Sequence, residues 1–156
     1  MAVPQSPPRR ELGAPVRWQY AALPWRRTVD GRLEVLLITS RETRRWVIPK
    51  GWPIADLAPH LSAAQEALEE AGVRGKSGAA AIGGYAYEKR LKSGRIRHVE
   101  VEVFPLKVVK ERRNWREKRQ RAKEWFTPEA AAARVDEPAL RALILRWAAE
   151  EAQRKA

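Results

Sequence analysis

With 156 residues, 44% of them apolar and 32% charged, the chain is long enough for one soluble domain with a proper core and too short for two comfortable ones. No apolar run approaches the roughly 20 residues a membrane-spanning helix needs, and the absence of cysteine excludes disulfides and thiolate metal sites while fitting a reducing cytoplasm. A formal charge of +12 points to polyanionic partners, and it is concentrated: residues 89–123 hold fourteen Lys and Arg against four Glu, a surplus of ten.

Residues 1–13 are Pro-rich, with Arg9 and Arg10 and no apolar stretch behind them, and read as a disordered leader before a single domain over residues 14–156. Val16, Trp18 and Tyr20 alternate in an extended segment that closes at Pro24. Asp30-Gly31 signals a tight turn into a buried strand over residues 33–38. A short strand over residues 46–48 stops at Pro49, and Gly51 and Pro53 open a loop. A helix is expected to start near Ser62, which with Gln65 makes a capping-box pattern behind Leu61, and to stop at Gly72.

Tyr85 and Tyr87 lie on one arm of a hairpin that turns near Ser93-Gly94. Its second arm covers residues 96–108, where Val99, Val101 and Val103 alternate with His98, Glu100 and Glu102. Trp125-Phe126 forms one more short strand. Thr127-Pro128-Glu129 starts a helix, and Asp136 starts another with Leu140, Leu143, Ile144 and Trp147 on its apolar face. These elements add up to a mixed sheet with a central helix and a terminal helix packed on it: an α+β domain, or a three-layer sandwich.

The chemistry sits on the central helix. Glu66, Glu69 and Glu70 stand at i, i+3 and i+4 and share one face. Crowded carboxylates repel, and a hard divalent cation such as Mg²⁺ or Mn²⁺ is their natural neutraliser, with coordination positions left for substrate phosphates. A Glu-rich face taken alone is more often simply solvated. Gly75-Lys76-Ser77 ends like a phosphate-binding loop, but the upstream glycine that loop requires is Glu70; His60 and His98 have no partner at zinc-ligand spacing.

The context of the three carboxylates is what singles them out. Residues 51–73 resemble the Nudix box: glycine, five residues, Glu, seven residues, then Arg-Glu-apolar-x-Glu-Glu-x-Gly-apolar. Gly51, Glu66, Ala67, Glu69, Glu70, Gly72 and Val73 fall in register, while Leu57 and Gln65 stand where Glu and Arg are expected. The runs over residues 36–41 and 45–51, together with Lys123-Glu124-Trp125-Phe126, are similar to the diphosphoinositol polyphosphate phosphohydrolases within that superfamily.

The resemblance implies an α/β/α sandwich with a Nudix loop-helix and a C-terminal helix, and a hydrolase that cuts a phosphoanhydride with Mg²⁺ or Mn²⁺ as cofactor. It implies that Glu66, Glu69 and Glu70 hold metal and that Glu70 or Glu66 orients or deprotonates the attacking water. Ser40, Arg41, Gly51 and Arg121 match substrate-contacting positions. Lys50 and Arg97 are added as further basic contacts, Arg95 and His98 lie in the same region, Trp52 is placed to stack on a base or to cover the phosphate site, and Glu100 and Glu102 offer a fourth carboxylate. The expected partner is a polyphosphorylated small molecule such as a diphosphoinositol polyphosphate or a diadenosine polyphosphate. Removal of pyrophosphate from RNA 5′ ends, or a Nudix fold that only binds RNA or nucleotide, are the alternatives.

Overall fold

The computed structural model describes residues 16–154, so the leader expected over residues 1–13 lies outside the described residues. Strand β1 (Arg17–Arg27) is the spine of the sheet. Its Ala21, Leu23 and Trp25 belong to one apolar cluster and its Tyr20 and Ala22 to the other, the two faces that a period of two produces. A turn with Gly31 at φ +87° leads into β2 (Leu33–Thr39), which lies antiparallel to β1.

Around this pair the remaining elements are β3 (Trp46–Val47), β4 (Lys50–Gly51), α1 (Pro59–Ala71), β5 (Val73–Ser77), β6 (Gly83–Arg90), β7 (Ile96–Glu111), β8 (Lys123–Phe126), α2 (Pro128–Arg134) and α3 (Pro138–Arg154). The sheet runs β3-β2-β1-β7-β5, with β4 paired to β1, β6 to β7 and β8 to β2. The β1–β7 pair is parallel and the others antiparallel, so the sheet is mixed, as expected. Helix α1 covers one face, where Ala63, Ala67 and Ala71 join Ala22, Leu36, Ile38, Phe104 and Leu106. Helices α2 and α3 cover the other, where Leu140, Leu143, Ile144 and Trp147 join Trp25, Val35, Leu37, Val99 and Val101. The result is the three-layer α/β/α arrangement.

Several boundaries differ from the sequence reading, each for a local reason. Helix α1 begins at Pro59 with Ala58 as N-cap, not at Ser62. Proline fits the first helical position because its missing N–H is unneeded there. Ser62 is instead fully buried, and its hydroxyl accepts from the Ile54 amide at 3.2 Å, tying the preceding loop down. β1 runs on through Pro24. On its β4/β2 edge, pairing passes from β4 at Tyr20 and Ala21 to β2 at Trp25, so the proline falls in the gap between partners. Gly75-Lys76-Ser77 lies in β5, a strand the sequence reading missed, next to a register shift at Arg74/Gly75. Asp136 precedes α3 and pairs with Arg45 at 3.0 Å. Among the described residues no helix is long and apolar enough to cross a membrane.

Leu37 is fully buried among residues that the α3 layer covers. Leu37→Ala should therefore cost roughly 2–5 kcal/mol, read as a lower urea midpoint with an unchanged slope. A midpoint equal to that of the wild type would contradict this core assignment.

Candidate active site

The register of β4 on β1 sets Gly51 opposite Tyr20, at the edge of the face covered by α1. Having no side chain, Gly51 lets the Glu66 carboxyl lie directly on its backbone, in space that a Cβ would fill. One turn further along α1, Glu70 is buried, and the Lys50 amide donates to its Oε1 at 3.3 Å. A Glu-rich helix face is more often solvated, but the Glu70 side chain is only 10% exposed.

Burial governs the protonation of the pair. Desolvation pushes Glu70 up to about 8, Arg121 opposes the shift, and the hydrogen bond and charge of Glu66 add to it. Burial also raises Glu66, offset by the hydrogen bond from Glu70 and opposed in turn by the charges of Glu69 and Glu117. A carboxyl raised this far keeps its proton at neutral pH, and a buried proton beside a second carboxyl marks a place where a cation can substitute.

Glu69 is placed differently. Its carboxylate accepts from Gln65 Nε2 at 2.8 Å and lies 3.6 Å from Arg116 Nη1. Gln65, standing where the resembled motif has Arg, is therefore used to hold Glu69 along the helix. Leu57, the other departure, is exposed in the loop before α1. Among the described residues no three His, Asp or Glu side chains are gathered as a ready-made metal site. Glu66 and Glu70 supply hard oxygen donors suited to Mg²⁺ or Mn²⁺, and Glu69 as placed does not join them.

Two further groups complete the cluster. Arg121, 11% exposed, donates from Nη1 to the Thr39 carbonyl at 3.0 Å and from Nε to Glu117 at 2.7 Å, and its Nη2 lies 3.7 Å from Glu70. It was expected to contact substrate phosphate; here its guanidinium is engaged with the carboxylates. Glu117, 16% exposed, was missed because it is one acid inside a basic run with no periodicity to mark it.

The other candidates divide between two sides. Ser40 is bonded within its own turn to Thr43 and the Arg45 amide. Arg41 and Arg44 reach residues 112–122 through the Gln120 side chain at 3.0 Å and its carbonyl at 3.2 Å. On the other side the Lys50 ammonium lies 5.0 Å from the centre of the Tyr87 ring, whose hydroxyl donates to Gln19 at 2.7 Å. Burial lowers the Lys50 pKa, and Glu70 and Glu137 oppose that shift. Arg97 lies further out on the hairpin, opposite Lys89. Glu102 is in the same cross-strand row as Gly51 but two strands away, roughly 10 Å. Glu100 bonds His98 at 2.7 Å. Neither glutamate approaches the carboxyl pair. The Trp52 ring is covered by Arg17 at 5.1 Å.

No family model matches the chain. A curated relative, the mitochondrial Nudix hydrolase 12 of Arabidopsis thaliana, is 33% identical over 105 residues, 64% of this chain and 51% of the relative. The match thus spans about half the relative's length. Among solved structures, an Ap4A hydrolase binary complex from C. elegans aligns with a TM-score of 0.65 at 19% identity, covering 88% of this chain and 98% of that one. A MutT protein from Methanosarcina mazei Go1 aligns at 0.65 and 21%, covering 90% and 99%. The NUDIX domain of Shewanella oneidensis NrtR, solved with ADP ribose, aligns at 0.62 and 12%, covering 89% of each chain.

The raised Glu70 carboxyl has a consequence for stability. Between its ordinary value of 4.5 and about 8, the folded chain holds a proton that the unfolded chain has released. Its contribution is fully present below that window and is lost as pH rises through it. Metal-free protein should lose stability to urea between pH 5 and pH 8, and Glu70→Gln should flatten that decline. Equal slopes in the two proteins would contradict the buried, protonated Glu70.

Proposed function

We propose that this chain, which has the Nudix fold, is a divalent-metal-dependent phosphohydrolase that cleaves a phosphoanhydride linkage in a polyphosphorylated small molecule. The observation that carries the reading is the Glu66–Glu70 carboxyl pair, with Glu66 half-buried on Gly51, Glu70 buried at the Lys50 amide and Arg121 beside it. Glu66 and Glu70 would hold Mg²⁺ or Mn²⁺, with Glu117, or Glu69 once released from Gln65 and Arg116, completing the oxygen set. The metal, when bound, neutralises charge on the phosphate oxygens and lowers the pKa of a water.

The remaining work falls to the chain's own side chains. Gly51 leaves the space that the Glu66 carboxyl fills, which would seat that carboxyl at the floor of the substrate site. In its ionised form Glu70, or Glu66 beside it, would orient the attacking water or take a proton from it. Arg121 balances charge at the carboxylates. Arg41, with Ser40 in the same loop, lies on one side, and Lys50 and Arg97 on the other, where they would bind the phosphates flanking the scissile bond. The C. elegans neighbour's designation as an Ap4A hydrolase supports a polyphosphate substrate. Diadenosine polyphosphates and diphosphoinositol polyphosphates are therefore the first compounds to try.

The second reading, a Nudix fold that binds RNA or nucleotide without turnover, draws on one observation: Glu69 is held by Gln65 and Arg116, away from the pair. A hydrolysis screen with Mg²⁺ and Mn²⁺ over both substrate classes and triphosphorylated RNA separates the two. Turnover of one class, reduced at least about a hundredfold in kcat by Glu70→Gln with an unchanged circular dichroism spectrum, is the expected outcome. An active Glu70→Gln protein would overturn the assignment. Binding of RNA with no turnover would favour the second reading.

A further inference from the structure

Residues 112–121 read Arg-Arg-Asn-Trp-Arg-Glu-Lys-Arg-Gln-Arg, and Trp115 is the only apolar side chain among them. So much like charge favours an extended, solvated segment. The segment is nevertheless fastened to the last turn of α1. The Arg112 amide donates to the Gly72 carbonyl at 2.7 Å and the Glu117 amide to the Glu69 carbonyl at 3.0 Å, one on each side of Trp115. Between these two bonds the Trp115 ring occupies the space where Gly72 lacks a side chain, so close that a Cβ at Gly72 would overlap it.

Gly72 is thus required twice, for its left-handed C-cap conformation at φ +70° and for the seat it leaves open. Lys123 lies 4.2 Å from the ring centre and also donates to the Ala71 carbonyl at 2.7 Å, while Lys118 lies 5.5 Å from the ring. The indole Nε1 is buried and, among the described residues, is the one buried side-chain polar atom with no hydrogen-bond partner. The ring is held by shape and by cations, not by its polar end.

We propose that Trp115 is a positioning residue: seated on Gly72, it fixes residues 112–121 against α1 so that Glu117 and Arg121 stand at the Glu66–Glu70 pair. It touches no reacting atom. Its effect on activity rests on the phosphohydrolase reading, whereas its effect on the loop does not.

The test uses the full chain with Trp115→Ala, Trp115→Phe, Glu117→Gln and the double variant Trp115→Ala/Glu117→Gln. Three quantities are read: amide hydrogen exchange at Glu117 and Leu37, Mn²⁺ affinity by calorimetry, and kcat with KM. Trp115→Ala should speed exchange at Glu117 at least about tenfold with Leu37 unchanged, the signature of a local release. Mn²⁺ affinity and kcat should fall about 10–100-fold with little change in KM. The double variant should be no worse than the weaker single one, because Trp115 acts through Glu117. Trp115→Phe should keep most of each property, since a ring still fills the seat.

Undiminished protection at Glu117 in Trp115→Ala, or losses that multiply in the double variant, would overturn the proposal. If the alanine variant does not fold, Trp115→Leu provides the same readings. Absence of turnover in the wild type would count against the hydrolase reading alone, and exchange would still decide the role of Trp115.

Discussion

Glu66 and Glu70 stand closer together than two free carboxylates would choose, and the rest of the site follows from how they are kept there. Helix geometry sets them one turn apart. Gly51 removes the side chain that would separate Glu66 from the sheet, and the Lys50 amide holds Glu70 from the same two-residue strand. The pairing of β4 with β1 is therefore a functional contact as well as a structural one, since it decides what the helix carboxyls face. Burial makes the arrangement costly unless a positive charge or a proton sits within it. Arg121 supplies part of that charge, and the high Glu70 pKa expresses the remainder.

Much of this was legible in the sequence because it is local. The i, i+3, i+4 glutamates, Gly51 and Gly72 lie within 22 residues, and their spacing is enough to place them on one helix and its two flanking turns. Alternation in β7 and the apolar stripe of α3 likewise announced the sheet face on which the two pack together. What the sequence concealed was long-range. That Glu69 points to Gln65 and Arg116 instead of joining its neighbours depends on a segment more than 40 residues away. Glu117 and Trp115 sit in a run whose composition suggested only charge, and nothing nearby shows that the run folds back onto α1. The start of α1 was misplaced because Ser62 and Gln65 fit a capping pattern. Pro59 provided an earlier start, and each of the two polar side chains found another use.

The basic surplus acquires a more specific meaning once placed in the fold. Arg116 and Arg121 are paired with α1 carboxylates, and Lys123 donates to the Ala71 carbonyl at the end of the helix, so part of the charge serves to hold the segment and balance the glutamates. Arg41 and Arg44 contact only the neutral Gln120 among the side-chain hydrogen bonds of the described residues, which leaves their charge available for an anion. The segment that organises the acidic centre is thus also the one on which Arg41 and Arg44 rest through Gln120.

The most direct test of the central claim is calorimetric titration of Mn²⁺ into the full chain at pH 7, run in two buffers of different ionisation enthalpy. A carboxyl with a pKa near 8 is mostly protonated at that pH, so a cation entering the pair must displace its proton. The account predicts saturable binding with release of close to one proton per ion, lost in Glu70→Gln. Binding without proton release, or equal binding by the variant, would show that the metal does not enter between Glu66 and Glu70.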